Sequence, residues 1–249
     1  MSSEFYVGYM PEQGPKLARF TRRVVLVLLL CGLGLGALLV RSMGEFSSAV
    51  FEFGVERSFE GVLAEGAVPV LRVARPGESS AGASSYLLVA FGKHGASQEV
   101  LELGGHRVRL SGSLIYRDDQ TMIEVADGSL EDLGLAEAEP ALEQELGMRV
   151  LTGEIVDSKC FLGVMKPGNL KPHRACAVRC ISGGVPPVLL VRDAEGTASY
   201  YLLVGADGSA VGQQILDVVA EPIRVEGRVV RRAGLAFLYA DPSTYETLE

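Results

Sequence analysis

Four side chains with an affinity for soft and borderline metals stand close together in the second half of the chain: Cys160, His173, Cys176 and Cys180. Pro172, the run HRACAVRCIS and then Gly183-Gly184 predict one short helix, because proline suits a first turn and glycine suits the residue after the last. His173, Cys176 and Cys180 stand at offsets of about 0, 3 and 7, which at ~100° per residue puts them on one helical face. Cys160 enters from the end of the preceding strand. Four such ligands suit a tetrahedral Cys3His site for zinc, and fewer thiolates suffice for copper(I). Asp157 is a candidate second-shell acceptor that would orient a ligand.

Two other chemistries compete for these residues. In an oxidising compartment thiols pair, and a structural disulfide between two of the three clustered cysteines is the plainest outcome. The third thiol, left over, invites a metal, a partner cysteine or redox exchange. Sequence leaves disulfide, metal and thiol redox chemistry open. Met165 reads as a loop-packing residue, and Lys166-Pro167-Gly168 as a turn.

A repeat supplies the elements that must hold these residues. Tyr86-Leu87-Leu88-Val89 recurs as Tyr201-Leu202-Leu203-Val204, and Val108–Arg117 recurs as Ile223–Arg232, both displaced by 115 residues. Gly112 falls on Gly227. Upstream, Gly61 aligns with Gly153, an offset of 92, so the second copy is longer by 23 residues in the interval that carries all three cysteines. Each copy reads as three strands, a short helical stretch and two strands, which predicts a mainly β fold of two tandem small OB-like five-stranded barrels. Strands are expected near 58–64, 68–74, 85–91, 106–117 and 120–126, then near 150–157, 186–192, 198–204, 221–231 and 234–240.

Residues 24–40 are uncharged and apolar, flanked by Arg23 and Arg41. That is the short limit for a transmembrane helix, and snorkelling arginines extend it. A cleaved signal peptide is the competing reading. Lys16, Arg19, Arg22 and Arg23 precede the span, whereas Glu45, Glu52, Glu56 and Glu60 outnumber Arg41 and Arg57 after it. The positive-inside rule then leaves the N-terminus in the cytoplasm and exports the rest. The expected localisation is a bacterial inner membrane, single-pass, with the C-terminal region in the periplasm. The lipid bilayer is thus the first partner, and Gly32 and Gly36 form a GxxxG pair of the kind on which such helices form a homodimer.

The expected organisation is a cytoplasmic tail at 1–23, a transmembrane helix at 24–40 and a first OB-like domain at 55–127. An acidic linker follows at 128–148, interrupted by Pro140. A second OB-like domain occupies 149–249, with an inserted Cys/His segment at 157–184. A net charge of −8 and the lack of tryptophan argue against a nucleic-acid partner, which needs a basic groove with stacking aromatics. No G-x-S-x-G elbow, HExxH or phosphate loop is present, so enzymatic chemistry has little to stand on.

Gly153, Ile155, Asp157, Cys160, His173, Cys176, Cys180, Gly183 and Gly184 spell GxIxDxxC followed by HxxCxxxCxxGG. In this pattern, residues 150–240 resemble a group of small secreted or periplasmic bacterial OB-like proteins. The resemblance implies an exported barrel built around the Cys/His motif and implies no particular activity. The first copy lacks every motif cysteine and histidine. The expected function is a membrane-tethered periplasmic accessory or assembly protein, part of a membrane protein complex, with a structural Cys/His site. A periplasmic metal-handling or thiol-redox protein is the alternative.

Overall fold

The computed structural model describes residues 14–42, 48–75, 82–137 and 143–248. It falls into two compact units, one holding the N-terminal helix and the other, from residue 47 on, everything else. The helix α1 (Pro15–Ser42) has 28 residues and no buried side chain. At 1.5 Å per residue it is about 42 Å long, more than the ~30 Å of a bilayer's hydrocarbon core. It is long and apolar enough to cross a membrane, with the composition that a signal sequence also shows. It begins earlier than the apolar run because Leu17, Ala18, Arg19, Arg22 and Arg23 favour helix and no Gly or Pro separates them from it. Residues 1–13 of the expected tail lie outside the described residues.

The second unit is two five-stranded closed barrels in tandem. A short strand β1 (Val50–Phe51) leads into the first barrel: β2 (Arg57–Leu63), β3 (Val70–Ala74), β4 (Ala83–Val89), helix α2 (Gln98–Glu102), β5 (His106–Arg117) and β6 (Gln120–Val125). The strands close in the order β2-β3-β4-β6-β5 and back to β2, with β4 and β6 parallel and the other pairs antiparallel. After β7 (Glu131–Leu135), the second barrel takes β8 (Glu143–Asp157), helix α3 (Arg174–Ser182), β9 (Pro187–Arg192), β10 (Ala198–Val204), β11 (Pro222–Arg232) and β12 (Leu235–Tyr239). A short β13 (Glu246–Thr247) lies on β11. The closure repeats that of the first barrel, β8-β9-β10-β12-β11 and back, with β10 and β12 the parallel pair. The parallel registers are Leu87↔Met122 and Leu202↔Phe237.

The acidic stretch between the barrels is less of a connector than its composition suggests. Residues 131–135 pair with β5, where Arg109 meets Glu131 at 2.7 Å and His106 meets Asp132 at 2.9 Å. Residues 143–148 form the start of β8, paired along β11. Ion pairs across strands, Arg109 with Glu131 and Arg232 with Glu143, favour pairing that hydrophobic periodicity alone would not reveal. Pro140 and residues 138–142 lie outside the described residues.

Each barrel has its own interior: Leu71, Leu88, Leu110 and Ile123 in the first, Leu189, Leu203, Ile223 and Leu238 in the second. The alternate residues of the same strands do not face solvent. Leu87, Val89 and Met122 join Leu202, Val204, Phe237 and Val188 in a third apolar cluster that spans both barrels. Side chains along a strand alternate between faces, so Tyr-Leu-Leu-Val serves an interior with one leucine and the seam between barrels with the other. Phe161 and Leu162, from the inserted segment, fill the same seam.

Gly112 lies where β5 passes from β2 to β6, and Gly227 lies where β11, paired with β8 throughout, gains β12. Gly112 pairs with Arg57 of β2 and with Val125 of β6. A Cβ at Gly112 would lie 2.3 Å from the Glu124 carbonyl oxygen, and one at Gly227 would lie 2.5 Å from that of Tyr239. The barrel closes only because these backbones pass bare. Gly227→Ala should therefore destabilise the second barrel by roughly 1–3 kcal/mol, the usual cost of forcing atoms into packed space. Chemical denaturation would detect it; an unchanged midpoint would show that β11 can shift at no cost.

Candidate metal centre

β8 ends at Asp157, whose side chain is fully buried. Its Oδ1 accepts a hydrogen bond from the Cys160 backbone N–H at 2.7 Å, which stops the strand and turns the chain into a wide helical turn, Cys160–Val164. Its Oδ2 accepts from His173 Nε2 at 2.9 Å. His173 is buried and ends the 3-10 turn Lys171–His173 that feeds α3. Pro172 lies in that first turn and Gly183 caps the helix, its N–H reaching the Arg179 and Cys180 carbonyls. One carboxylate thus ties the strand that delivers Cys160 to the helix that delivers Cys176 and Cys180.

The three thiols converge. Cys160 Sγ lies 3.8 Å from Cys176 Sγ and 3.9 Å from Cys180 Sγ. Ligand atoms of the three cysteines all lie within 4.8 Å of one another, and so do those of Asp157, Cys160 and His173. Each set could hold a metal ion, and Cys160 belongs to both. The four expected ligands do not form one such group: His173 turns to Asp157 and shares Cys160 with it. Asp157, expected to stand behind a ligand, supports two of them at once.

The expected disulfide is not formed; all four cysteines are free. A disulfide needs sulfurs ~2.05 Å apart. Here Cys160 is nearly equidistant from two partners, and the packing selects neither. Both spacings are compatible with sulfurs on a common ion: three sulfurs about 2.3 Å from a tetrahedral ion stand ~3.8 Å apart, and in a trigonal arrangement ~4.0 Å.

Protons distribute unevenly over the cluster. The hydrogen bond from Cys160 to Cys180, burial and the nearby Asp157 carboxylate push the Cys160 thiol up. The same hydrogen bond, helped by Lys93, pulls Cys180 below the ordinary thiol range against the effect of burial. Of this hydrogen-bonded pair, Cys180 carries the thiolate character and Cys160 keeps the proton. Cys160 and Cys180 are buried, whereas Cys176 is half-buried and forms the rim.

Two lysines outside the expected set frame the cluster, and they cross between barrels in opposite directions. Lys159, beside Cys160, is buried and reaches into the first barrel. Its Nζ donates to the Ala90 and Gly92 carbonyls at 2.7 Å each and forms an ion pair with Glu124. Lys93, on the loop after β4, reaches the other way and donates to Cys176 Sγ at 2.6 Å. That bond raises the Lys93 pKa. The loop is fixed by Gly95, whose N–H donates to the Gly183 carbonyl at 2.9 Å. Gly183 owes its identity to this approach, since a Cβ there would lie 2.1 Å from the Lys93 carbonyl oxygen. No pattern in the first copy announced Lys93 or Glu124. A weak signal for Lys159 was available, a lysine wedged between a strand end and a motif cysteine.

Compared with known proteins, the chain matches no family model and has no significant match among curated proteins or solved structures. The site therefore stands on its own geometry. Lys159→Met would leave the Glu124 carboxylate and two carbonyls without their buried cation. The expected loss is about 3–5 kcal/mol, the cost of breaking a buried pair from one side. Equilibrium unfolding of the variant measures it, and a loss under ~1 kcal/mol would mean that water replaces the ammonium at the seam.

Proposed function

We propose that this protein is a membrane-anchored accessory or assembly protein, exported beyond a bacterial inner membrane into the periplasm, whose second barrel holds a structural zinc or copper ion on Cys160, Cys176 and Cys180. The observation that carries the reading is the set of three free sulfurs, 3.8 and 3.9 Å from a common member, two of them buried. Free thiols at that spacing inside a packed seam are a poor design for a disulfide and a good one for a shared cation. The Asp157–His173 pair holds the supporting elements in register, as an outer hydrogen bond does for metal ligands elsewhere.

Anchorage rests on α1 and on the basic residues that precede its apolar core. Gly32 and Gly36 offer a surface for pairing two such helices. The absence of catalytic motifs and the burial of the sulfurs favour support of a larger membrane assembly over catalysis. One observation favours the metal-handling alternative: Cys176 lies at the rim, where an incoming chelator or partner thiol can reach it.

The test is elemental analysis of the full-length protein in detergent, with thiols counted before and after chelation. One zinc or copper per chain is expected, with three thiols that react slowly until the metal is removed. Cys160→Ser should abolish binding, whereas Cys31→Ser, in the helix, should leave it intact. Because protons compete with the metal for thiolates, retention should fall as pH is lowered. A wild-type chain that is metal-free, with every thiol promptly reactive, would defeat the proposal.

A further inference from the structure

We infer that the first barrel is part of the metal centre: Lys93 is the charge partner of the Cys176 thiolate, and the centre it completes is matched to a divalent, borderline cation of the zinc class. This rests on the reading of the sulfur cluster as a metal site and adds a residue and a ligand class to it.

Charge must balance at the edge of a packed seam. Three thiolates and a divalent ion carry a net charge of about −1, and an unbalanced charge next to an apolar seam is costly. The neighbouring charges are already committed. Lys159 is held by Glu124 and two carbonyls, and the Asp157 carboxylate accepts from His173 and from the Cys160 amide. Among the described residues, Lys93 is the cation whose ammonium donates to a sulfur. Adding it brings the divalent centre to neutrality, while a monovalent ion would leave the set at about −1. A charge-assisted hydrogen bond also stabilises the thiolate form that a metal requires.

The position of Lys93 is not accidental to its loop. Gly95 and Gly183 hold that loop against the end of α3 through a backbone hydrogen bond, and Lys159 grips the Ala90 and Gly92 carbonyls just upstream. The loop is thus clamped on both sides of Lys93 by residues of the second barrel. Lys93 acts as a positioning residue for a ligand sulfur.

The experiment uses the full-length protein in detergent and compares wild type with Lys93→Met and Lys93→Arg. Zinc affinity is measured by chelator competition, and cobalt(II) serves as the visible stand-in for spectroscopically silent zinc. Lys93→Met is expected to weaken zinc binding by about tenfold at low ionic strength, less at high salt, since the lysine stem is exposed. Its thiolate-to-cobalt absorption band should shift, because one sulfur loses its hydrogen bond. Lys93→Arg should restore most of the affinity and the band. Wild-type zinc binding with an unchanged affinity and band in Lys93→Met would overturn the inference and leave the metal reading in place. A wild-type chain that takes copper(I) but not zinc would overturn the divalent assignment. A wild type that takes neither would remove both readings. Should Lys93→Met alone unfold, the arginine variant still decides: it keeps the charge, so a tenfold loss of zinc affinity in a folded Lys93→Arg would count against the charge-partner role.

Discussion

The apolar layer between the two barrels is the constraint from which the rest of the structure follows. Small barrels bury little surface of their own, and a strand that is apolar on both faces must find cover on both. Here β4, β6, β10 and β12 give one set of side chains to their own interiors and the other set to a common seam. Burial at roughly 25 cal/mol per Å² makes such a seam worth several kcal/mol even at modest area. The two barrels are consequently one compact unit and not beads on a tether.

The cysteine cluster inherits its character from that seam. The inserted segment sends Phe161 and Leu162 into the shared layer and leaves Cys160 at its edge, within reach of α3. Polar groups at the edge are then forced to find partners across the boundary. Lys159 finds carbonyls and Glu124 in the first barrel, and Lys93 finds Cys176 in the second. Tyr200 of the second barrel donates to Asp118 of the first at 2.6 Å. A buried cation or hydroxyl without a partner would undo much of what the apolar contact contributes, so these cross-boundary pairs and the seam stabilise each other.

Much of the fold was legible in the sequence because barrel strands announce themselves by length, alternation and the glycines between them. β5 was read at its observed limits, and β10 likewise, since turn residues bound both. The glycines 112 and 227, which the repeat aligns, are points of close backbone passage. What stayed hidden was long-range. β7 and the start of β8 are strands held by charge pairs, which have no hydrophobic period to read. In the candidate site, the three cysteines declared themselves by type and spacing. His173 is drawn to Asp157 because a fully buried carboxylate needs a donor more urgently than a thiol cluster does. Lys93 belongs to the other half of the chain, and only the docking of one barrel on the other brings it to the sulfurs. Yet the seam left a trace in Tyr-Leu-Leu-Val itself, two adjacent leucines where a half-exposed strand would show one.

Gly95 and Gly184 meet backbone to backbone, so tightly that a single methyl group on residue 95 would sit 2.1 Å from the Gly184 carbonyl oxygen. This contact functions as a gauge of identity. A first barrel carrying any side chain at that spot, however well folded, would be held off by its thickness. Interchange of halves between such molecules would thus hinge on one bare position that carries no chemistry at all.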